Sequence, residues 1–177
     1  MPHIDLKNNL PGIIGAMAYR PETAKPLREL AEVLLRGANS LSSGEREIIA
    51  THVSLLNDCK FCSSSHWAAA KHLLPEGALP APRLGKGIDP SGFSPKLVAL
   101  LGIAEKVRAD SRTVSREQVE HAKGLGATDQ EIHDTVLIAA AFCMYNRYVD
   151  GLSTWAPNEL GEYDEMGKVL ATQGYLH

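Results

Sequence analysis

The chain has few cysteines, no dense basic cluster, no long apolar run and no stretch that alternates like a strand. Three cysteines in 177 residues are too few for a disulfide framework. The opening MPHIDLKNNLPG lacks a basic start followed by an apolar run, so no secretory signal is expected and a reducing, cytoplasmic setting is. In that setting a close cysteine pair is more often catalytic or metal-binding than a structural staple. A net charge of −3 without clustered lysine and arginine excludes a surface that tracks a phosphate backbone, hence no nucleic acid. The longest apolar run, residues 136–145, is too short to span a bilayer, so no membrane partner is expected. What remains, 44% apolar and 22% charged residues, is the balance of a soluble globular protein.

Helical periodicity dominates the pattern and predicts an all-α fold of six to eight helices in one domain over 1–177. Residues 1–26 hold four of the ten prolines and read as an arm with one short helical piece. Its Ile13, Ile14, Met17 and Tyr19 are expected to pack on the body or on a neighbouring subunit. A helix opens at Pro26, with Leu27, Leu30, Ala31, Leu34 and Leu35 on one face, and Gly37 ends it. Ser42 with Glu45 forms a capping-box pattern for a helix to about Leu56. One face of that helix carries Ile49, Val53 and Leu56. The other, with Glu47, Ala50, Thr51 and Ser54, is small and nearly uncharged, which suggests that it is covered too.

Residues 75–95 bring five prolines and four glycines into one loop, which reads equally as a lid, a subunit contact or an insertion without a role. Further helices are predicted over 95–110, 115–123, 128–149 and 162–172. VLIAAAFCMY, apolar on every side, marks the 128–149 helix as the buried centre.

The chemistry concentrates in residues 43–72. Cys59 and Cys62 stand two residues apart and His66 follows Cys62 by one helical turn, so the three side chains share a stripe. Asn57 or Asp58 is the expected helix cap, which puts Cys59 at the first helical position. Free amides and the helix dipole there favour a thiolate. The residues alone leave three readings open: a redox dithiol, a structural metal site or inert core cysteines. Structural zinc takes four ligands, commonly as two close pairs, and no second pair is present. Cys143, inside the most apolar segment, reads as a core residue. His52 reads as structural, His72, His121 and His133 as surface residues, Trp67 and Trp155 as core or interface aromatics. Arg147 and Asp150 read as a structural ion pair.

Glu47, eleven residues, Cys59, two residues, Cys62, three residues, His66: this spacing resembles the active-site motif of the alkylhydroperoxidase D-like (AhpD-like) family. That family lies in the carboxymuconolactone decarboxylase superfamily. The segments LPGIIGAMAYRPETAKPLRELAEVLL, LSSGEREIIATHVSLLNDCKFCSSSHWAAA and GATDQEIHDTVLIAAAFCMYNRYVDGL resemble its peroxidase-related branch. The resemblance implies an AhpD-like helical bundle, a homo-oligomer, and a thiol peroxidase that needs no cofactor or metal. Its substrate would be a hydroperoxide, and an external dithiol or redox protein would be the reductant. Cys62 would be the peroxidatic thiol, Cys59 the resolving one, and His66 with Glu47 the proton relay. In such a relay, near-apolar surroundings are expected to raise the Glu47 pKa. One position departs from the pattern: Phe61 stands where the best-studied members carry a histidine. A protein disulfide reductase would use the same dithiol. The decarboxylases of the superfamily do not need the cysteine pair, which counts against that activity.

Overall fold

The computed structural model describes residues 1–75 and 83–176 and contains eight α-helices and no strand among them. α1 (Gly12–Tyr19) is the short piece expected in the arm. α2 (Pro21–Arg36) begins five residues before the expected start at Pro26. Pro21 takes the first helical position, where a missing N–H costs nothing. Pro26 then falls inside the helix and forfeits one backbone bond on an exposed turn. α3 (Ser43–Leu56) opens on the predicted capping box: Glu45 N–H donates to Ser42 Oγ at 3.2 Å, and Ser42 N–H donates to Glu45 Oε2 at 2.8 Å. α4 (Lys60–Leu73) carries the cysteine stripe. Four helices follow: α5 (Pro95–Asp110), α6 (Arg116–Gly124), α7 (Asp129–Gly151) and α8 (Asp164–Gln173). Capping boxes at Ser115/Gln118 and Thr128/Glu131 fix the starts of α6 and α7.

The buried centre is α3, not α7. Within α3, Gly44 and every residue from Arg46 to Leu55 are buried, because α2, α4, α5 and α7 all pack around it. The small, uncharged second face of α3 lets α4 lie close against it. α7 keeps one side turned outward, with Leu137 38% and Met144 43% exposed. The main apolar cluster gathers Leu35, Leu41, Ile48, Ile49, Leu100, Ile103 and Ile138, each fully enclosed. Each contributes about 1.5–3 kcal/mol relative to an exposed position. A smaller cluster of Cys59, Phe61, Cys62, Ala68, Val149 and Tyr163 sits under the start of α4. There Gly12, at φ +53°, lies against the ring of Phe61, and any Cβ on it would overlap that ring. Among the described residues no helix is long and apolar enough to cross a membrane.

Part of the 75–95 loop, residues 76–82, lies outside the described residues. The remainder runs back along α3: Gly85 N–H donates to Leu55 O at 2.8 Å, and Ile88 N–H to His52 Nδ1 at 3.1 Å.

Candidate functional site

The turn between α3 and α4 places the dithiol. Asp58 takes a left-handed conformation at φ +60°. Asp58 N–H then donates to Leu55 O at 3.0 Å and Cys59 N–H to Ser54 O at 3.0 Å, the paired bonds of a Schellman ending. Asn57 and Asp58 therefore close α3 and do not cap α4, contrary to expectation. The cap is Cys59 itself, so it sits one place before the first helical position. Its C=O already accepts from Ser63 N–H at 3.0 Å. Asn57 pins the turn from outside, donating to Asn146 Oδ1 at 2.8 Å and accepting from Arg108 Nε at 2.8 Å.

Cys62 falls in the first turn of α4, where its own amide is among the free donors. Both thiols are reduced and buried, Cys59 0% and Cys62 3% exposed. Their side chains are in hydrogen-bond contact, and that bond together with burial pushes the Cys59 thiol up. Asp150 stands beside Cys59 and accepts from its thiol; burial pushes the Asp150 carboxyl up. The expected Arg147–Asp150 ion pair does not form: Arg147 donates to Cys143 O at 2.9 Å on the surface.

Glu47 and His66 meet across the α3–α4 hairpin. His66 Nδ1 lies 2.7 Å from Glu47 Oε2. The other carboxylate oxygen, Oε1, accepts from Arg36 Nη2 at 2.6 Å and from the Tyr175 hydroxyl at 2.6 Å. The Glu47 side chain is completely enclosed, while those of His66 and Arg36 are each 12% exposed. Burial alone would push the Glu47 carboxyl up. The His66 ring and its hydrogen bond, then Arg36 and Tyr175, outweigh burial and hold it below the usual carboxylate range. That reverses the expected direction, because three donors and not an apolar wall surround it. An ionised Oε2 can only accept, so Nδ1 of His66 donates to it. The ring is fixed edge-on against Phe142, with centroids 4.5 Å apart.

Cys62 and His66 border one cavity of about 480 Å³. Its walls are Ile13, Ile14 and Met17 from α1, Phe61 from α4, Phe142 from α7, and Met166, Val169 and Leu170 from α8. The arm thus packs on its own chain and closes the site. Arg28, Ser65, Tyr145, Glu165 and Tyr175 add polar groups to this largely apolar lining. Among the described residues no three His, Cys, Asp or Glu side chains cluster as metal ligands.

The four residues singled out from the sequence, Glu47, Cys59, Cys62 and His66, therefore converge. Cys143 is half-buried and away from the cavity, within 3.6 Å of Asn57 Nδ2. His52 has Nδ1 bonded and Nε2 buried without a partner, so it is only half satisfied. His121 and His133 are exposed, and His72 pairs with Asp164 at 3.2 Å. Trp155 is exposed at 41% and does not belong to the core. Two neighbours were missed from sequence, Arg36 and Tyr175, and Asp150 was read only as a partner of Arg147. Arg36, in the last turn of α2, was the most accessible to reasoning, since a basic residue there suits the helix dipole.

Residues 21–73, which span α2 to α4 and include Arg36, Glu47, Cys59, Cys62 and His66, match the model of the Carboxymuconolactone decarboxylase family. No curated protein matches the chain. A similar solved structure is an alkylhydroperoxidase AhpD core, an uncharacterized peroxidase-related protein from Ralstonia eutropha JMP134. It is 27% identical with a TM-score of 0.74, over 90% of this chain and 82% of that one. An uncharacterized peroxidase-related protein from Silicibacter sp. TM1040 is 26% identical with a TM-score of 0.73, over 87% of this chain and 78% of that one. An all-α bundle like theirs, the family match on the dithiol hairpin and the peroxidase-related relatives together support a place for the chain in the AhpD-like group of the carboxymuconolactone decarboxylase superfamily.

Proposed function

We propose that the protein is a thiol-dependent peroxidase that reduces hydroperoxides at Cys62, with residues 1–177 acting as one domain. The observation that carries this reading is the shared cavity: Cys62 and a histidine held by a buried carboxylate open together into one apolar pocket. The Cys62 thiolate attacks the outer peroxide oxygen and the O–O bond breaks. The leaving alkoxide takes a proton supplied through His66 and departs as the alcohol, leaving a sulfenic acid on Cys62. Cys59 then attacks that sulfur, water leaves, and a disulfide forms. An external dithiol returns both sulfurs to thiols and is itself oxidised to its disulfide. Glu47 orients His66 and balances its charge when it carries two protons. No cofactor takes part.

The apolar lining favours an organic hydroperoxide over hydrogen peroxide, because a 480 Å³ pocket walled by Ile, Met, Val, Leu and Phe gains from burying an alkyl group. The alternative, a protein disulfide reductase, needs Cys62 to touch the sulfur of a partner protein. At 3% exposure Cys62 is poorly placed for that and well placed for a small molecule. Outside the pocket, Ile4, Tyr19, Leu27, Met144, Tyr148 and Leu152 line an apolar groove, which supports the homo-oligomer expected of the chain. Light scattering at micromolar concentration gives the assembly size, and a monomer would remove that part of the reading.

The test is consumption of cumene hydroperoxide and of hydrogen peroxide by purified protein with a dithiol reductant, beside a Cys62→Ser variant. Turnover by the native protein, faster with the organic peroxide and lost in the variant, supports the reading. Equal rates for both proteins overturn it.

A further inference from the structure

The C-terminal tail reaches the relay from a place that no part of the motif contains. Gly174, at φ +74° and ψ −147°, takes a conformation open essentially to glycine alone, and a Cβ there would collide with Glu32 Oε2. This turn swings Tyr175 off the end of α8 and back under α2. Two bonds seat the tail: Gly174 N–H donates to Leu170 O at 3.2 Å, and Tyr175 N–H donates to Glu32 Oε2 at 2.7 Å. The ring lies beneath the Arg36 guanidinium, 5.1 Å from its centre, and runs nearly parallel to His66, at 15° with centroids 6.0 Å apart. Arg36 ties in the same helix end, donating from Nη2 to Leu170 O at 2.9 Å. The tail is therefore anchored by its backbone and its ring, and the hydroxyl is not needed to hold it.

What the hydroxyl does is local. It lies 2.6 Å from Glu47 Oε1 and 3.2 Å from His66 Nδ1. With Nδ1–H committed to Oε2, the hydroxyl donates to Oε1, and it stays protonated because burial and the Glu47 charge push the phenol well above its usual range. We infer that Tyr175 is a positioning residue for the Glu47–His66 relay: its hydroxyl fixes Oε1 so that Oε2 faces His66 Nδ1 and holds the ring at the cavity it shares with Cys62. This role rests on the relay proposed above, and it makes the last turn of the chain part of the site.

The test is Tyr175→Phe, which keeps the ring under Arg36 and both backbone anchors. Three quantities are read: peroxide kinetics, melting temperature, and titration of the Glu47 side-chain carboxyl by 13C NMR on reduced protein. Loss of one donor from Oε1 makes the carboxylate more basic, so the Glu47 titration should move to higher pH. The kcat should fall about ten- to hundredfold, the usual cost of losing a group that orients a functional one, while KM and melting temperature hold. A Glu47 titration and kcat that match the native protein overturn the assignment. So does a fall in melting temperature with the Glu47 titration unmoved, which is what a mere tail anchor would give. If the native protein consumes no peroxide, the peroxidase reading falls, and the Glu47 titration alone then decides the role of Tyr175.

Discussion

Arg36 and His66 hold opposite oxygens of one enclosed carboxylate, at 2.6 Å and 2.7 Å. Glu47 is therefore countered from both sides, by the His66 ring at Oε2 and by Arg36 at Oε1. A fully desolvated carboxylate costs several kcal/mol unless it is both paired and hydrogen-bonded. Here Arg36, His66 and the Tyr175 hydroxyl together supply both.

Replacing that carboxylate with an amide should damage both activity and stability. In Glu47→Gln the relay loses its acceptor, and peroxide turnover should fall by about 10²–10⁴-fold. Arg36, with a side chain 12% exposed, loses its counter-charge as well. The cost of one unpaired, largely buried charge is about 3–5 kcal/mol. Steady-state kinetics and a thermal melt on the one variant check both effects.

The two cysteines should separate cleanly by role. Cys62→Ser should abolish peroxide consumption. Cys59→Ser should still react once and hold the sulfenic acid, which dimedone labelling and mass spectrometry detect. In the reduced native protein, iodoacetamide at mildly acidic pH should label Cys62 ahead of Cys59, whose thiol is pushed up by its bond to Cys62 and by burial. Equal labelling of Cys143 would count against the assignment.

Acid should destabilise the protein through Glu47. Its folded carboxyl lies below the usual range, so the stability it contributes is whole above about pH 4.3, the unfolded value, and is lost as pH falls through the folded one. Glu47→Gln removes that proton-linked component, so the slope of stability against pH below about 4 should flatten. Urea midpoints measured from pH 3 to pH 7 on both proteins test the sign.

Restoring a histidine beside Cys62 should not improve the enzyme. Phe61 is 3% exposed, packs against Tyr163 with centroids 6.0 Å apart, and covers the backbone of Gly12. A polar ring in Phe61→His would meet only apolar neighbours, at a cost of about 1–3 kcal/mol for an unsatisfied buried group. The expected result is a lower melting temperature with no gain in turnover.

The parts of the site that lie on one helix were legible in the sequence, because helical spacing alone puts Cys59, Cys62 and His66 on a stripe. The covered second face of α3 was legible too, from the small uncharged side chains beside Glu47. The centre of the bundle was misread. Apolar composition pointed to α7, whereas burial followed the number of helices packed around α3. Periodicity placed α2 five residues late, since Pro26 reads as a helix start and Pro21 already supplies one. Tyr175 left no trace, because it meets Glu47 across 128 residues and His66 across 109. Nothing local distinguishes it from any aromatic near a chain end. The direction of the Glu47 shift was misread because the pull of His66, already paired with it in the motif, was left out of the balance, and Arg36 and Tyr175 were unseen.

The double duty of the Cys59 backbone bears on how fast the sulfurs can join. Its N–H is committed to the end of α3 and its C=O to the start of α4, each at 3.0 Å. The main chain cannot shift there without unwinding two helices, so the travel from hydrogen-bonded thiols to a bond of about 2.0 Å must come from side-chain torsions. Such torsions are local and need no helix rearrangement. On the peroxidase reading proposed above, ring closure then waits on the chemistry at sulfur and not on the backbone.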